Sequence, residues 1–413
     1  MVRVCDAIMG TGKSQSAIAY INEHKDQRFI YITPYLDEAA RIKEGCPDAH
    51  FIEPSNKLKQ FGFKKTAHTA YLISEGYNIT TTHQAFKGYT PEMLEDIKSM
   101  EYTLIIDENV DVLETFDAHP GDLQMAVDAG YVSCDNGIYR VANDEYCGVV
   151  LSDMFRMLKS RELIRIDENG ISLFYWTLPP DLITSFKDVF ILTYLFEGQS
   201  LHHLLQIYNI PYVKIGVERT DGGAGFRFCD YPGYTPEYVS HLGGMLRIWD
   251  KERINSIGDD QYALSMNWFK KDPQNAEQLK KNVHNYFNNI MRDVPADEKL
   301  WGGYNGEYGH VKGKGYTKSF LTFNSKATNK YKDRKCLVYI ANLFMNVNEK
   351  RFYNMHGIEV DEDMYALSIM VQWIWRSAIR DGQPVDLYIP SKRMRTLLIN
   401  WIDAVSKGGV ESE

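Results

Sequence analysis

No stretch of this 413-residue sequence approaches the roughly 18–20 consecutive apolar residues that span a bilayer. No basic leader with an apolar core opens it either, so neither a membrane partner nor a secretion signal is expected, and the expected location is cytoplasmic. The six cysteines (Cys5, Cys46, Cys134, Cys147, Cys229, Cys336) never form a C-x-x-C pair. That argues against a zinc site or a disulfide frame and for reduced thiols. Internal repeats and low-complexity tracts are missing, as is a convincing acidic cluster of the nuclease kind in the second half. Positive charge is in short supply: 46 Lys and Arg against 55 Asp and Glu leave a net charge of −9. Taken alone, that balance counts against nucleic-acid binding. What remains, 44% hydrophobic and 24% charged residues, is an ordinary globular composition in a chain long enough for two domains with full cores.

The first fourteen residues, MVRVCDAIMGTGKS, carry the strongest signal. An apolar strand around Val2 and Val4 runs into a loop with Gly10, Thr11 and Gly12, and Lys13-Ser14 then open an amphipathic helix (Ala17, Ile18, Tyr20, Ile21). Loop N–H groups and a helix N-terminus aimed at one place form a polyphosphate cradle. In such a cradle Lys13 reaches the β and γ phosphates and the Ser14 hydroxyl serves Mg²⁺. Ala7 stands where the pattern G-x-x-x-x-G-K-S has its first glycine. The expected cofactors are ATP and Mg²⁺.

Beyond the loop the chain alternates strand and helix. Arg28–Thr33, Tyr77–Thr82, Tyr102–Asp107 and Asp188–Tyr194 read as buried strands, with helices at Leu36–Lys43 and from Thr90-Pro91 onward. The implied fold is α/β, with parallel sheets flanked by helices. Functional loops then gather at the carboxyl ends of the strands. Gly10–Ser14, Thr33-Pro34, Thr82-His83 and Asp107-Glu108 all lie at such ends and are expected on one sheet edge. Residues 110–185, with turn signals at Asp135-Asn-Gly and Asp167-Glu-Asn-Gly, read as an insertion or subdomain within a first lobe spanning 1–198. The second lobe, 199–413, is expected to hold strands at Tyr212–Gly216, Gln261–Ser265 and Asp386–Pro390. A helix from Gln274 to Val294 and one unbroken helix from Asp363 to Arg380 complete it.

A phosphate cradle needs a metal-holding acid and a water activator. Asp107, after Leu104-Ile105-Ile106, suits the metal together with Ser14, and Glu108 suits the water. One segment reverses the charge balance. Between Trp301 and Cys336 stand eight Lys and Arg, among them Lys312, Lys314 and Lys326, against Glu307 and Asp333. Seven aromatics are interleaved. Basic groups track phosphates while aromatic faces stack on bases, although a solvated Gly-rich loop over core aromatics would read the same way.

Ala7–Ser14, Thr33-Pro34, Thr82-His83, Asp107-Glu108, Leu192-Thr193 and Gln372…Arg376…Arg380 occur in the motif order of superfamily 2 helicases, the DEAD/DEAH-box-like group, which the chain resembles. Its wording at Leu321–Tyr331 (with Asn329), Asp361–Arg380 and Leu387–Ser391 is similar to bacteriophage-encoded helicase-family proteins. The resemblance implies two RecA-like P-loop lobes with ATP between them. It implies catalytic roles for Lys13, Asp107, Glu108, Gln372, Arg376 and Arg380, one arginine neutralising charge on the γ-phosphate. Its final motif has arginines three residues apart, here four, so both are candidates. It implies nucleic-acid contacts from Thr33, Pro34, Thr82 and His83, and Lys312, Lys314, Lys326 and Asn329 of the basic segment are candidates for the same role. The expected partner is single-stranded or forked nucleic acid, DNA favoured over RNA, alongside replication or recombination proteins in a host cytoplasm. No residue here precedes the first strand to supply the family's adenine-reading glutamine motif, so base selectivity is expected to be relaxed or achieved elsewhere. The alternatives are an ATP-driven switch or packaging and loading factor that does not unwind, and a binding module with a vestigial site.

Overall fold

The structure is a computed structural model; it describes all residues except 35, 147, 149–150, 169–170, 221–222, 224, 234–241, 326–329 and 407–413. Two compact units emerge. The first comprises Met1–Ala7, Gly12–Tyr231 and Asn346–Val360; the second comprises Ile8–Thr11, Pro232–Met345 and Asp361–Glu413.

In chain order the first unit holds β1 (Val2–Asp6), α1 (Lys13–Glu23), β2 (Phe29–Thr33), α2 (Leu36–Gly45), α3 (Lys65–Ser74), β3 (Ile79–Thr82), α4 (His83–Phe86), α5 (Pro91–Ser99) and β4 (Thr103–Asp107). After β5 (Leu113–Phe116), β6 (Val132–Asp135), β7 (Ile138–Val141), β8 (Glu162–Glu168) and β9 (Ile171–Thr177) come β10 (Asp188–Thr193), β11 (Tyr212–Arg219) and β12 (Phe226–Asp230). Its main sheet has the order β12-β11-β1-β10-β4-β2-β3, parallel except for the antiparallel edge strand β12. Every residue of β2 and β4 is buried. This is why the strands read as unbroken apolar runs: both sheet faces are covered. Ile30, Ile32, Leu104 and Ile106 feed one core layer, and Phe29, Tyr31 and Ile105 the other.

The 110–185 segment builds an antiparallel sheet of its own, β5-β9-β8-β7-β6, over a core of Leu123, Tyr139, Phe155, Leu163 and Trp176. The turn at Asn136-Gly137 puts both residues at positive φ, as a two-residue hairpin requires. The second half returns to this unit through Asn346–Val360. There the Tyr175 hydroxyl donates to the Asn348 carbonyl at 3.0 Å, and the Phe352 ring lies 5.2 Å from Tyr175. The boundary expected at 198 falls inside the first unit, because β11 pairs with β1 and extends the sheet.

The second unit contains a parallel sheet, β13-β16-β15-β14, made of β13 (Leu246–Ile248), β14 (Lys299–Gly302), β15 (Cys336–Tyr339) and β16 (Val385–Tyr388). Two expectations fail here. Gln261–Ser265 is a turn, not a strand: the Ser265 hydroxyl caps the helix Met266–Lys271 by accepting from the Trp268 N–H at 3.3 Å. Nor is Asp363–Arg380 one helix. The helix Glu362–Ile374 stops where Ser377 turns extended (φ −91, ψ −171) and its hydroxyl takes the Ile374 carbonyl at 2.6 Å. The Ala378 N–H then donates to the Arg334 carbonyl at 2.9 Å, outside any helical ladder.

Gly302 closes β14 where Trp373 crosses it, and a Cβ there would lie 2.5 Å from the indole. Gly302→Ala is therefore expected to destabilise the protein by about 1–3 kcal/mol through overpacking. Urea unfolding checks this; an unchanged midpoint would refute the close packing.

Candidate nucleotide site

The sheet register lines up the carboxyl ends of five strands. Asp6 pairs with Thr193, Leu192 with Asp107, and Thr33 with Thr82, while β2 and β4 pair through Ile32 and Ile106. The residues that the sequence singles out at strand ends thus share one edge.

The loop between β1 and α1 needs glycine for its backbone: Gly10 and Gly12 have φ of 86° and 100°. The Lys13 ammonium donates to the Ala7 carbonyl across the loop. From the first turn of α1 the Ser14 hydroxyl donates to Asp107 Oδ2 at 3.1 Å. The same oxygen accepts from the Tyr31 hydroxyl at 2.9 Å. Behind the carboxylate, His83 Nε2 meets the Asp107 carbonyl oxygen at 2.8 Å. Glu108 follows at φ 65°, a left-handed conformation costly for a residue with a Cβ, and its N–H donates to the Leu192 carbonyl at 3.0 Å. The backbone therefore turns sharply between two adjacent carboxylates.

Burial dominates the electrostatics. Desolvation, with the Glu108 charge beside it, pushes the Asp107 acid up to about 6. Asp6 also rises to about 6, through burial and the Glu197 charge, although Lys214 and the Leu195 N–H (2.8 Å) favour its ionised form. Burial lowers the Lys13 pKa against the pull of the neighbouring acids.

For Asp107 the sign is definite. The folded state holds its proton more tightly than the unfolded chain, so stability falls as pH rises from about 4 to about 6. Asp107→Asn keeps an acceptor for Tyr31 and Ser14 without the buried charge. It is expected to be about 2–3 kcal/mol more stable than the parent at neutral pH, the gain vanishing below about pH 4. Thermal melts across pH check this, and a gain independent of pH would contradict it.

Other expected site residues are placed less openly. Thr33 is fully buried and His83 is turned inward on Asp107, so neither presents its side chain outward as a nucleic-acid contact would. Pro34 and Thr82 are half-buried, and the Thr82 hydroxyl caps α4. Thr193 is buried, donating to Gln199 Oε1 at 2.7 Å. In the second unit Gln372 is half-buried on the helix Glu362–Ile374, Arg376 is buried beyond its end, and Arg380 is exposed in the short turn Ala378–Asp381. The break at Ser377 takes Arg376 and Arg380 off the single helix expected to carry all three.

In the basic segment Trp301, Tyr304 and Tyr316 are buried and Tyr308, Phe320 and Phe323 half-buried, so the aromatics are chiefly core. Lys312, Lys314, Lys318, Lys330, Lys332 and Lys335 are exposed. Lys326 and Asn329 lie outside the described residues.

Tyr31 and Asp6 escaped the sequence reading. The signal was present: a hydroxyl within a wholly apolar strand, or an acid ending one, must find a partner when buried.

Known proteins can be set beside this geometry. The chain is 36% identical to the "SPbeta prophage-derived uncharacterized protein YonV" of Bacillus subtilis (strain 168), across 97% of this chain and 98% of the relative. It belongs to the YonV family. Residues 240–402 match the family model "YonV C-terminal Rossmann-like domain", which spans the parallel sheet β13–β16. Among solved structures, the one described as "Structure of S. tokodaii Xpd4" shares the fold at a TM-score of 0.50 and 12% identity, over 97% of this chain and 94% of that one.

Proposed function

We propose that this YonV-family protein hydrolyses a nucleoside triphosphate with Mg²⁺ and couples the cycle to movement on single-stranded nucleic acid. The observation that carries the reading is the Ser14–Asp107 hydrogen bond, formed beside Lys13 at the head of α1 with Glu108 next in the chain. The motif order of a superfamily 2 helicase, the Xpd4-like fold and the prophage-derived relative support the same reading.

The donor set fits a hard divalent ion. The Ser14 hydroxyl and the Asp107 carboxylate are oxygen ligands of the kind Mg²⁺ takes, and they already meet. Bound there with nucleotide, Mg²⁺ would neutralise charge on the β and γ oxygens. Asp107 is held by Tyr31, so its carboxylate is oriented in advance. Lys13 would exchange the Ala7 carbonyl for a phosphate oxygen, an anionic partner that favours its charged form against burial. Glu108, at the rim of the strand end, orients the attacking water and accepts its proton. Arg376 and Arg380 are the candidates for the arginine that offsets charge on the γ-phosphate, a contribution worth roughly 10³-fold or more. The exposed lysines of 312–335 are candidates for phosphate-backbone contact.

Strand displacement on a forked DNA substrate tests coupled movement. ATP-dependent displacement by the wild type that Lys13→Ala lacks is expected. Hydrolysis without displacement or translocation would favour the ATP-driven switch.

A further inference from the structure

β1 lies inside its sheet, with β4 two strands away on one side and the edge strand β12 two strands away on the other. At the usual strand spacing each lies about 10 Å from β1. A nucleotide cradled at the head of α1, its metal-bound end toward Asp107 on β4, would have the β11 and β12 side of the loop open to its nucleoside end. β11 runs parallel to β1 and continues past it: Cys5 pairs with Ile215, and four more residues bring Arg219 alongside the phosphate loop. There the chain reverses, and β12 begins with Phe226 directly opposite Arg219.

On β12, Phe226 and Phe228 share a face. Phe228 has an ordinary packing role, stacked 5.2 Å from Phe190 and close to Tyr20. Phe226 is different. Its half-buried ring lies against Gly12, so closely that a Cβ on that glycine would collide with it. The exposed Arg219 guanidinium lies over the ring, 5.4 Å from its centroid. An aromatic ring under an exposed, movable guanidinium, adjoining the last glycine of a phosphate loop, has the chemistry to stack on a base together with that cation.

We propose that Phe226, flanked by Arg219, forms the base-binding wall of the nucleotide site and takes a purine by stacking. The proposal rests on the nucleotide reading above. Stacking and cation–π attraction act on any purine face and read no hydrogen-bond pattern, so the wall accepts adenine and guanine alike.

The test is equilibrium binding of Mg-ATP, Mg-GTP and Mg-tripolyphosphate to the full chain and to Phe226→Leu, Phe226→Trp and Lys13→Ala. Leucine keeps apolar bulk against Gly12 but has no aromatic face, whereas tryptophan keeps one. The wild type is expected to bind ATP and GTP within about threefold of each other, both roughly tenfold or more tighter than tripolyphosphate. Phe226→Leu should erase that advantage and leave tripolyphosphate affinity unchanged, while Phe226→Trp retains it. If Phe226→Leu weakens ATP and tripolyphosphate equally, the ring only shapes the loop and the proposal falls. It falls too if ATP affinity is unmoved. Lys13-dependent tripolyphosphate binding with no gain from a base would overturn the stacking wall and leave the phosphate cradle standing. Failure of every ligand to bind the wild type would overturn both.

Discussion

Lys13→Ala is expected to abolish nucleoside triphosphate hydrolysis, lowering kcat/KM on the order of 10³-fold, while the protein still folds. The side chain crosses the phosphate loop to the Ala7 carbonyl, an interaction that alanine loses with little consequence for packing. With a polyphosphate present the same ammonium is the fixed positive charge inside a desolvated cradle, where burial already disfavours a charged lysine without an anion beside it. Preorganised donors of this kind contribute far more at a developing charge than in water. A malachite-green phosphate assay, with circular dichroism as the folding control, measures both. A variant that folds and hydrolyses at the parental rate would remove the cradle from the mechanism.

Glu108→Gln is expected to separate binding from turnover. Glutamine preserves size and hydrogen bonding but accepts no proton, so kcat should drop by roughly 10²–10⁴-fold. Mg-ATP affinity should stay within about threefold, because the proposed metal and phosphate contacts fall to Ser14, Asp107 and Lys13. The position is already unusual, since Glu108 holds φ at 65° with its N–H on the Leu192 carbonyl. Equal losses in affinity and kcat would mean that Glu108 helps to hold the nucleotide and does not activate water.

How far the sequence could be read depended on the range of the interactions involved. The loop and α1 were legible because two glycines, a lysine and a serine fall between an apolar strand and an amphipathic helix, all within local chemistry. The common edge of β1, β2, β3, β4 and β10 was legible too, since parallel strands joined by helices leave no other arrangement of their carboxyl ends. The Tyr31–Asp107 bond was hidden, joining residues 76 apart in sequence. The helix end at Ile374 was masked by an apolar, aromatic run that keeps a helical look through Ile379. What breaks it is the Ser377 hydroxyl and a distant acceptor at Arg334. The aromatics of 301–336 carried the pattern of a stacking surface, but Trp301 and Tyr316 are consumed by the core. The boundary between the units was misplaced because β11 and β12 follow Leu192-Thr193, the last motif expected in the first lobe, yet complete the first sheet.

The central claim is that hydrolysis at Ser14, Asp107 and Glu108 answers to a nucleic-acid strand. The most direct measurement is the steady-state Mg-ATP hydrolysis rate of the purified protein with and without saturating single-stranded DNA, repeated with single-stranded RNA. The account predicts a several-fold or greater rise with at least one strand, larger for DNA, and none in Lys13→Ala. A rate that no nucleic acid changes would contradict it.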